Sequence, residues 1–184
     1  VQWNVATDRL TVTTASGTDV LTGIETLSFA GVTYAADEFR AVRLTSGGDL
    51  FAGTSASERV MGFAGRDTLS GAGGHDTLDG GLDNDRLAGA AGNDSLLGDT
   101  GEDTLTGGAG ADVLSGGSGN DLLVADGGDD TILGGAGSDT LQLDLNRAAA
   151  AITYAGGVYT LTAADRVLTI SDVETFSFAD APAV

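Results

Sequence analysis

G-F-A-G-R-D-T-L-S (62–70) is followed without a gap by G-A-G-G-H-D-T-L-D (71–79), and the same nine-residue phase runs on to G-G-A-G-S-D-T-L-Q (134–142). Nine copies fill residues 62–142. Position 6 of the unit is Asp in all nine: Asp67, Asp76, Asp85, Asp94, Asp103, Asp112, Asp121, Asp130 and Asp139. Position 8 is a branched aliphatic in all nine: Leu69, Leu78, Leu87, Leu96, Leu105, Leu114, Leu123, Ile132 and Leu141. Two columns held in phase over that length are the mark of a repeat architecture, in which each unit is too small to bury a core and must stack on its neighbours.

The x-hydrophobic-x end of each unit reads as a short strand, with position 8 turned inward and positions 7 and 9 outward. Stacked at roughly 4.8 Å, such strands make a continuous aliphatic ladder. The other six residues read as a glycine-rich turn. Position 1 is Gly62, Gly71, Gly80, Gly89, Gly98, Gly107, Gly116 and Gly134, with Ala125 as the exception. Position 4 is Gly65, Gly74, Gly92, Gly101, Gly110, Gly119, Gly128 and Gly137, with Asp83 as the exception. Glycines at fixed offsets supply positive φ and close backbone approach, so the turn can gather carbonyl oxygens on one side and add the position-6 carboxylate to them. A donor set made only of hard oxygens selects calcium, with magnesium second because it demands tighter octahedral geometry. Zinc would want Cys or His, and the chain has no Cys and one His, His75.

Composition agrees. The 184 residues carry 27 acids against 8 bases, all Arg, for a net charge of −19. That balance excludes nucleic acid and anionic membrane surfaces as partners and favours cations. No apolar run approaches the roughly 20 residues of a membrane span. The absence of Cys leaves no disulfide or thiol chemistry. No secretory signal opens the chain, which starts at Val1 without Met and is read as a fragment of a longer protein.

Outward from the block, residues 53–61 (G-T-S-A-S-E-R-V-M) are a worn copy in phase, with Glu58 at position 6 and Val60 at position 8. Residues 1–45 read as short strands, with a short helix over 35–43, and Thr45-Ser-Gly-Gly48 reads as a linker. After Gln142 the phase is lost. Residues 152–154 and 158–162 flank Gly156-Gly157 as a hairpin, and 166–170 is a further strand. Val173-Glu-Thr-Phe-Ser-Phe178 nearly repeats Ile24-Glu-Thr-Leu-Ser-Phe29, so the two flanks are expected to be one meander used twice. Four divisions follow: an N-terminal meander (1–45), a linker with a degenerate repeat (46–61), the nonad block (62–142) and a C-terminal capping meander (143–184).

The block resembles the calcium-binding RTX repeat, G-G-x-G-x-D-x-U-x, across 62–142 and more weakly across 53–61. The resemblance implies an all-β fold: a right-handed parallel β-roll, two nonads per turn, between small antiparallel meanders, with calcium held between turns. Alternate copies would then stack 18 residues apart. One column would hold Asp67, Asp85, Asp103, Asp121 and Asp139, the other Asp76, Asp94, Asp112 and Asp130, with Glu58 as a candidate extra ligand. The glycines at positions 1 and 4 would offer carbonyls. The intervals give about seven or eight calcium ions. Charge closes on the same count, because 62–142 holds 15 acids and 2 bases, a net −13 that seven divalent ions balance. Without metal, stacked carboxylates would repel by roughly 1 kcal/mol per pair even in a water-like dielectric, so metal binding is expected to supply the folding energy.

The family further implies a non-catalytic module of a larger protein secreted from a Gram-negative bacterium through a type I apparatus, folding outside the cell on calcium. The tail at 178–184 weakly resembles part of a secretion signal. Two alternatives stand beside this reading. One is a self-association repeat of an adhesin or surface-layer protein. The other is the C-terminal domain of a secreted enzyme such as a serralysin-like protease, lipase, peroxidase or alginate epimerase. His75 has no nucleophile at a recognisable spacing and reads as an exposed spacer. Asp79, Asp99, Glu102, Asp126 and Asp129 read as surface charge. Leu97, Leu122, Val124 and Leu133 fall at outward positions and are expected to lie under the C-terminal meander.

Overall fold

The computed structural model describes residues 20–22, 26–29, 32–35 and 42–179. The strand expected at residues 9–14, Trp3, and residues 36–41 of the helix expected over 35–43 lie outside the described residues, and Ala35 ends a strand. Residues 42–43 are strand.

In chain order the strands are β1 (Val20–Thr22), β2 (Thr26–Phe29), β3 (Val32–Ala35), β4 (Val42–Arg43), β5 (Leu50–Ala52) and β6 (Arg59–Met61). The nonad block supplies β7 (Thr68–Gly73), β8 (Thr77–Leu82), β9 (Arg86–Ala91), β10 (Ser95–Thr100), β11 (Thr104–Ala109), β12 (Val113–Ser118), β13 (Leu122–Ala125), β14 (Thr131–Ala136) and β15 (Thr140–Leu143). A 3-10 turn at Arg147–Ala149 leads to β16 (Ala151–Ala155), β17 (Val158–Thr162), β18 (Val167–Ser171) and β19 (Thr175–Phe178).

Within the nonad block odd and even strands separate into two sheets. One runs β1-β5-β7-β9-β11-β13-β15-β19, the other β16-β17-β18-β14-β12-β10-β8-β6-β4. Within the block every pairing is parallel with an 18-residue register: Leu69 faces Leu87, Leu87 faces Leu105, and Leu78 faces Leu96. The chain is therefore a parallel β-roll of two nonads per turn. The position-8 side chains fill its interior, each 0–2% exposed, and a fully buried Leu of this kind contributes about 1.5–3 kcal/mol.

Every strand of the block is longer than three residues. β7 continues through Gly71, Ala72 and Gly73 of the next nonad, and the register skips position 1, pairing Ser70 with Ala88 and then Ala72 with Ala90. The ladder resumes there because position 2 is left-handed in every nonad except the one at 125–133: Phe63 (φ 74°), Ala72 (71°), Ala90 (80°) and Asp99 (68°) adopt it alongside glycines such as Gly81 (99°). Asp83 takes positive φ (76°) at position 4, a geometry that Asp tolerates better than most residues.

The roll extends beyond the nine nonads. Phe51 stacks on Leu69 and Val60 on Leu78. At the other end β18 adds to β14 in parallel, Ile170 on Ile132, and β19 adds to β15, Phe176 on Leu141. From β18, β17 and β16 turn back antiparallel. The C-terminal segment thus prolongs the sheets at their edges instead of covering their outer faces. Leu133 remains 37% exposed, and Leu97, Leu122 and Val124 are half-buried. Phe178 is buried, and Tyr159 bridges Tyr154 and Phe176 with ring centroids at 4.6 and 5.3 Å.

The two similar hexapeptides part company. The C-terminal one joins the roll in parallel as β19, while β2 pairs antiparallel with β3 in a hairpin, Phe29 opposite Val32. An alternating segment specifies a strand but not its partner, which is set by the edge that lies free beside it.

Candidate metal centre

The position-6 carboxylates are buried, each no more than 3% exposed. Each uses one oxygen as a structural acceptor. The backbone N–H of Asp67 donates to Asp85 Oδ1 (2.8 Å), that of Asp85 to Asp103 Oδ1 (2.8 Å), and that of Asp103 to Asp121 Oδ1 (2.9 Å). The other column repeats the pattern from Asp76 to Asp94, Asp112 and Asp130. The second oxygen is different. Oδ2 of Asp67, Asp76, Asp85, Asp94, Asp103, Asp112, Asp121 and Asp139 is buried with no hydrogen-bond partner. An unpartnered anionic oxygen in the interior is costly and calls for a cation or a proton.

Position 1 leaves the room for one. A Cβ added to Gly98 would lie 2.5 Å from both Asp103 Oδ2 and the Gly116 carbonyl oxygen. At Gly62 it would meet Asp67 Oδ2 at 2.3 Å and the Gly80 carbonyl at 2.4 Å, and at Gly134 the Asp172 carbonyl and Asp139 Oδ2. A carboxylate oxygen and a carbonyl from the next turn thus crowd the space that a side chain would fill. These glycines have ordinary φ, so close approach rather than backbone freedom makes glycine necessary there; positive φ falls at position 4, as at Gly65 (99°) and Gly101 (149°). Among the described residues no three carboxylate or imidazole side chains converge, so a donor set here is one carboxylate plus backbone carbonyls. These residues fit a hard divalent cation.

Burial pushes the carboxyls of Asp67, Asp76, Asp85, Asp103, Asp121 and Asp130 up to about 6, against the pull of the N–H that each accepts and with neighbouring carboxylates adding to the rise. Asp112 and Asp139 shift upward for the same first cause.

The model for the RTX calcium-binding nonapeptide repeat matches in overlapping windows from 52–87 to 106–141. The repeat block of this chain belongs to the RTX family. RTX repeats bind calcium, are not themselves catalytic, and occur in secreted proteins. No curated protein matches the chain significantly. Among solved structures the RTX chain is similar to an extracellular lipase, LipA from Serratia marcescens, at 16% identity and a TM-score of 0.30, over 73% of this chain and 40% of that one. A likeness that slight carries no functional argument. Among the described residues no helix is long and apolar enough to cross a membrane.

The sequence reading missed residues at both ends of the RTX roll. Asp49 is buried, its N–H donates to Asp67 Oδ1 (2.7 Å), and its Oδ2 accepts from Thr45 N (2.7 Å) and Oγ1 (2.9 Å). The segment read as a linker is in phase, since Asp49 and Phe51 stand 18 residues before Asp67 and Leu69. At the far end Glu174 Oε2 accepts the Asp139 N–H (2.8 Å). Glu58 sits in the column, its N–H donating to Asp76 Oδ1 (2.7 Å), while its carboxylate oxygens accept from Thr54 N and Oγ1. His75 is exposed, and its Nδ1 accepts the Asn93 N–H (2.8 Å) in an outer position-5 ladder continued by Asn93 Oδ1 to Ala111 N (3.0 Å). Asp129 Oδ1 binds the Val167 N–H (2.7 Å), tying β18 to the roll.

Proposed function

We propose that this chain is a calcium-dependent folding module that serves the export, folding and stability of a larger extracellular protein. The observation that carries the reading is the row of eight buried Asp oxygens without partners, each beside a position-1 glycine with no room for a side chain. In this reading Asp67, Asp76, Asp85, Asp94, Asp103, Asp112, Asp121 and Asp139 hold about eight ions with carbonyls from the position-1 and position-4 glycines. Calcium supplies charge neutralisation, and the chain's own residues supply the ordered oxygens and the aliphatic interior. At low calcium the −13 charge of the block opposes stacking and the chain stays extended enough to pass an export channel. Outside, metal binding becomes folding energy. The meander beyond residue 143 then acts as a cap, because β18 and β19 occupy the sheet edges that the last nonads leave open.

Circular dichroism against calcium concentration, with magnesium as control, tests this. A chelated protein at neutral pH should lack β-structure and gain it cooperatively with calcium. Full β-structure in chelator would overturn the folding-switch reading.

A further inference from the structure

We infer that the nonad at residues 125–133, A-D-G-G-D-D-T-I-L, holds no calcium and that the Arg166 guanidinium supplies the positive charge at that place. The inference rests on the calcium reading above.

Four observations single this nonad out. First, position 1 is Ala125, fully buried in the core. At the equivalent glycines of the other eight nonads an added Cβ comes within 2.1–2.7 Å of the position-6 Oδ2, so a real methyl there excludes the shared arrangement of carboxylate and cation. Second, the backbone differs. Position 2 has positive φ in those same eight nonads, from Phe63 to Gly135, and Asp126 does not. Correspondingly β13 ends at Ala125 after four residues, whereas β7 to β12 and β14 run six. Third, Asp130 alone of the nine column aspartates lacks a buried, unpartnered Oδ2. Its Oδ1 still accepts the Asp112 N–H at 3.0 Å, so its structural role survives without the orphaned oxygen.

Fourth, a cation is already built in. Arg166 is the one buried Arg among the described residues, 7% exposed. Nη1 binds Asp144 Oδ1 (2.8 Å), and Nη2 lies 3.4 Å from Asp165 Oδ2. The segment that carries Arg166 is bonded to this nonad: the N–H of Val167 donates to Asp129 Oδ1 (2.7 Å) and that of Thr169 to the Asp130 carbonyl (2.9 Å). The guanidinium, paired with Asp144 and Asp165 beside the nonad that carries Asp126 and Asp130, is thus a fixed cation that relieves there the repulsion that calcium relieves elsewhere. Because Arg166 immediately precedes β18, the substitution also couples the last turn of the roll to the C-terminal segment without metal.

The test is the calcium count of the full chain, by native mass spectrometry or equilibrium dialysis, for wild type, D112N and D130N. Asn keeps the Oδ1 acceptor, so the hydrogen-bond ladder is retained in both variants. The expected result is one ion fewer in D112N and an unchanged count in D130N. A125G/R166Q, which restores the glycine and removes the internal cation, should gain one ion. R166Q alone should lower the calcium-loaded melting temperature without lowering the count. A D130N count that falls as D112N does overturns this inference and leaves the calcium reading standing. A wild-type count of zero overturns both.

Discussion

Asp103 Oδ1 accepts the backbone N–H of Asp85 at 2.8 Å, one full turn earlier in the chain, while its buried Oδ2 has no hydrogen-bond partner. In the proposed calcium reading one carboxylate thus has two separable tasks, holding the previous turn and offering an oxygen to the cation. Asp103→Asn keeps the first and loses the charge needed for the second. Asp103→Ala loses both and leaves the buried Asp85 N–H without a partner, at a further cost of about 1–3 kcal/mol. At saturating calcium both variants should hold fewer ions, and D103A should melt well below D103N. Equal melting temperatures would refute the structural role of Oδ1.

Gly98→Ala probes the same pocket from the other side. The added methyl would lie 2.5 Å from Asp103 Oδ2 and from the Gly116 carbonyl. Both have to give way, and overpacking of that kind costs about 1–3 kcal/mol. The expectation is the loss of one ion together with a lower calcium-loaded stability, read by ion counting and thermal melting. At Gly156, in the hairpin turn, an added Cβ meets nothing within 4 Å. Its φ of 61° makes Ala mildly strained there, but the ion count should not move.

The pH dependence has a definite sign. Burial raises the carboxyls of Asp67, Asp76, Asp85, Asp103 and Asp121 from their ordinary value near 3.8 to about 6. Between those values the folded metal-free chain binds more protons than the unfolded one, so its stability rises as pH falls through 6 and is lost as pH climbs back. In chelator, β-structure should be absent at pH 7.5 and appear toward pH 5. Calcium affinity should fall over the same window, because each proton competes for the pocket. A metal-free circular dichroism signal that is flat from pH 7.5 to pH 5 would show that the burial of ionised carboxylates is not what holds the apo chain open.

The roll itself was legible because its two determinants are periodic. The Asp column and the Leu column each recur at nine, and burial then forces stacking at eighteen, as Leu69 on Leu87 displays. The ends were less legible because their chemistry changes while their phase does not. Asp49 keeps the column, but its turn carries Leu44 at position 1, and Thr45 takes the place of an empty pocket. Glu174 reaches the Asp139 N–H from 35 residues away rather than 18, a distance no period announces. The double duty of the carboxylates was equally hidden, since composition says that an Asp is present and not which oxygen it has to spare.

Position 2 yields a stabilising change. Ala90 sits at φ 80°, where an L side chain costs roughly 1–2 kcal/mol and glycine costs nothing. Glycine also loses more chain entropy on folding, about 0.5–1 kcal/mol, so Ala90→Gly should stabilise the calcium-loaded roll by a net of about 0.5–1 kcal/mol. Phe63, at φ 74°, carries the same strain with a return on it, because the Arg43 guanidinium lies 5.5 Å from its ring centroid. That contact is worth about 0.5–1 kcal/mol at an exposed site. Phe63→Gly should therefore be close to neutral where Ala90→Gly is favourable. Chemical denaturation of both variants at fixed, saturating calcium makes the comparison, and a larger gain at 63 than at 90 would mean that the cation–π contact contributes nothing.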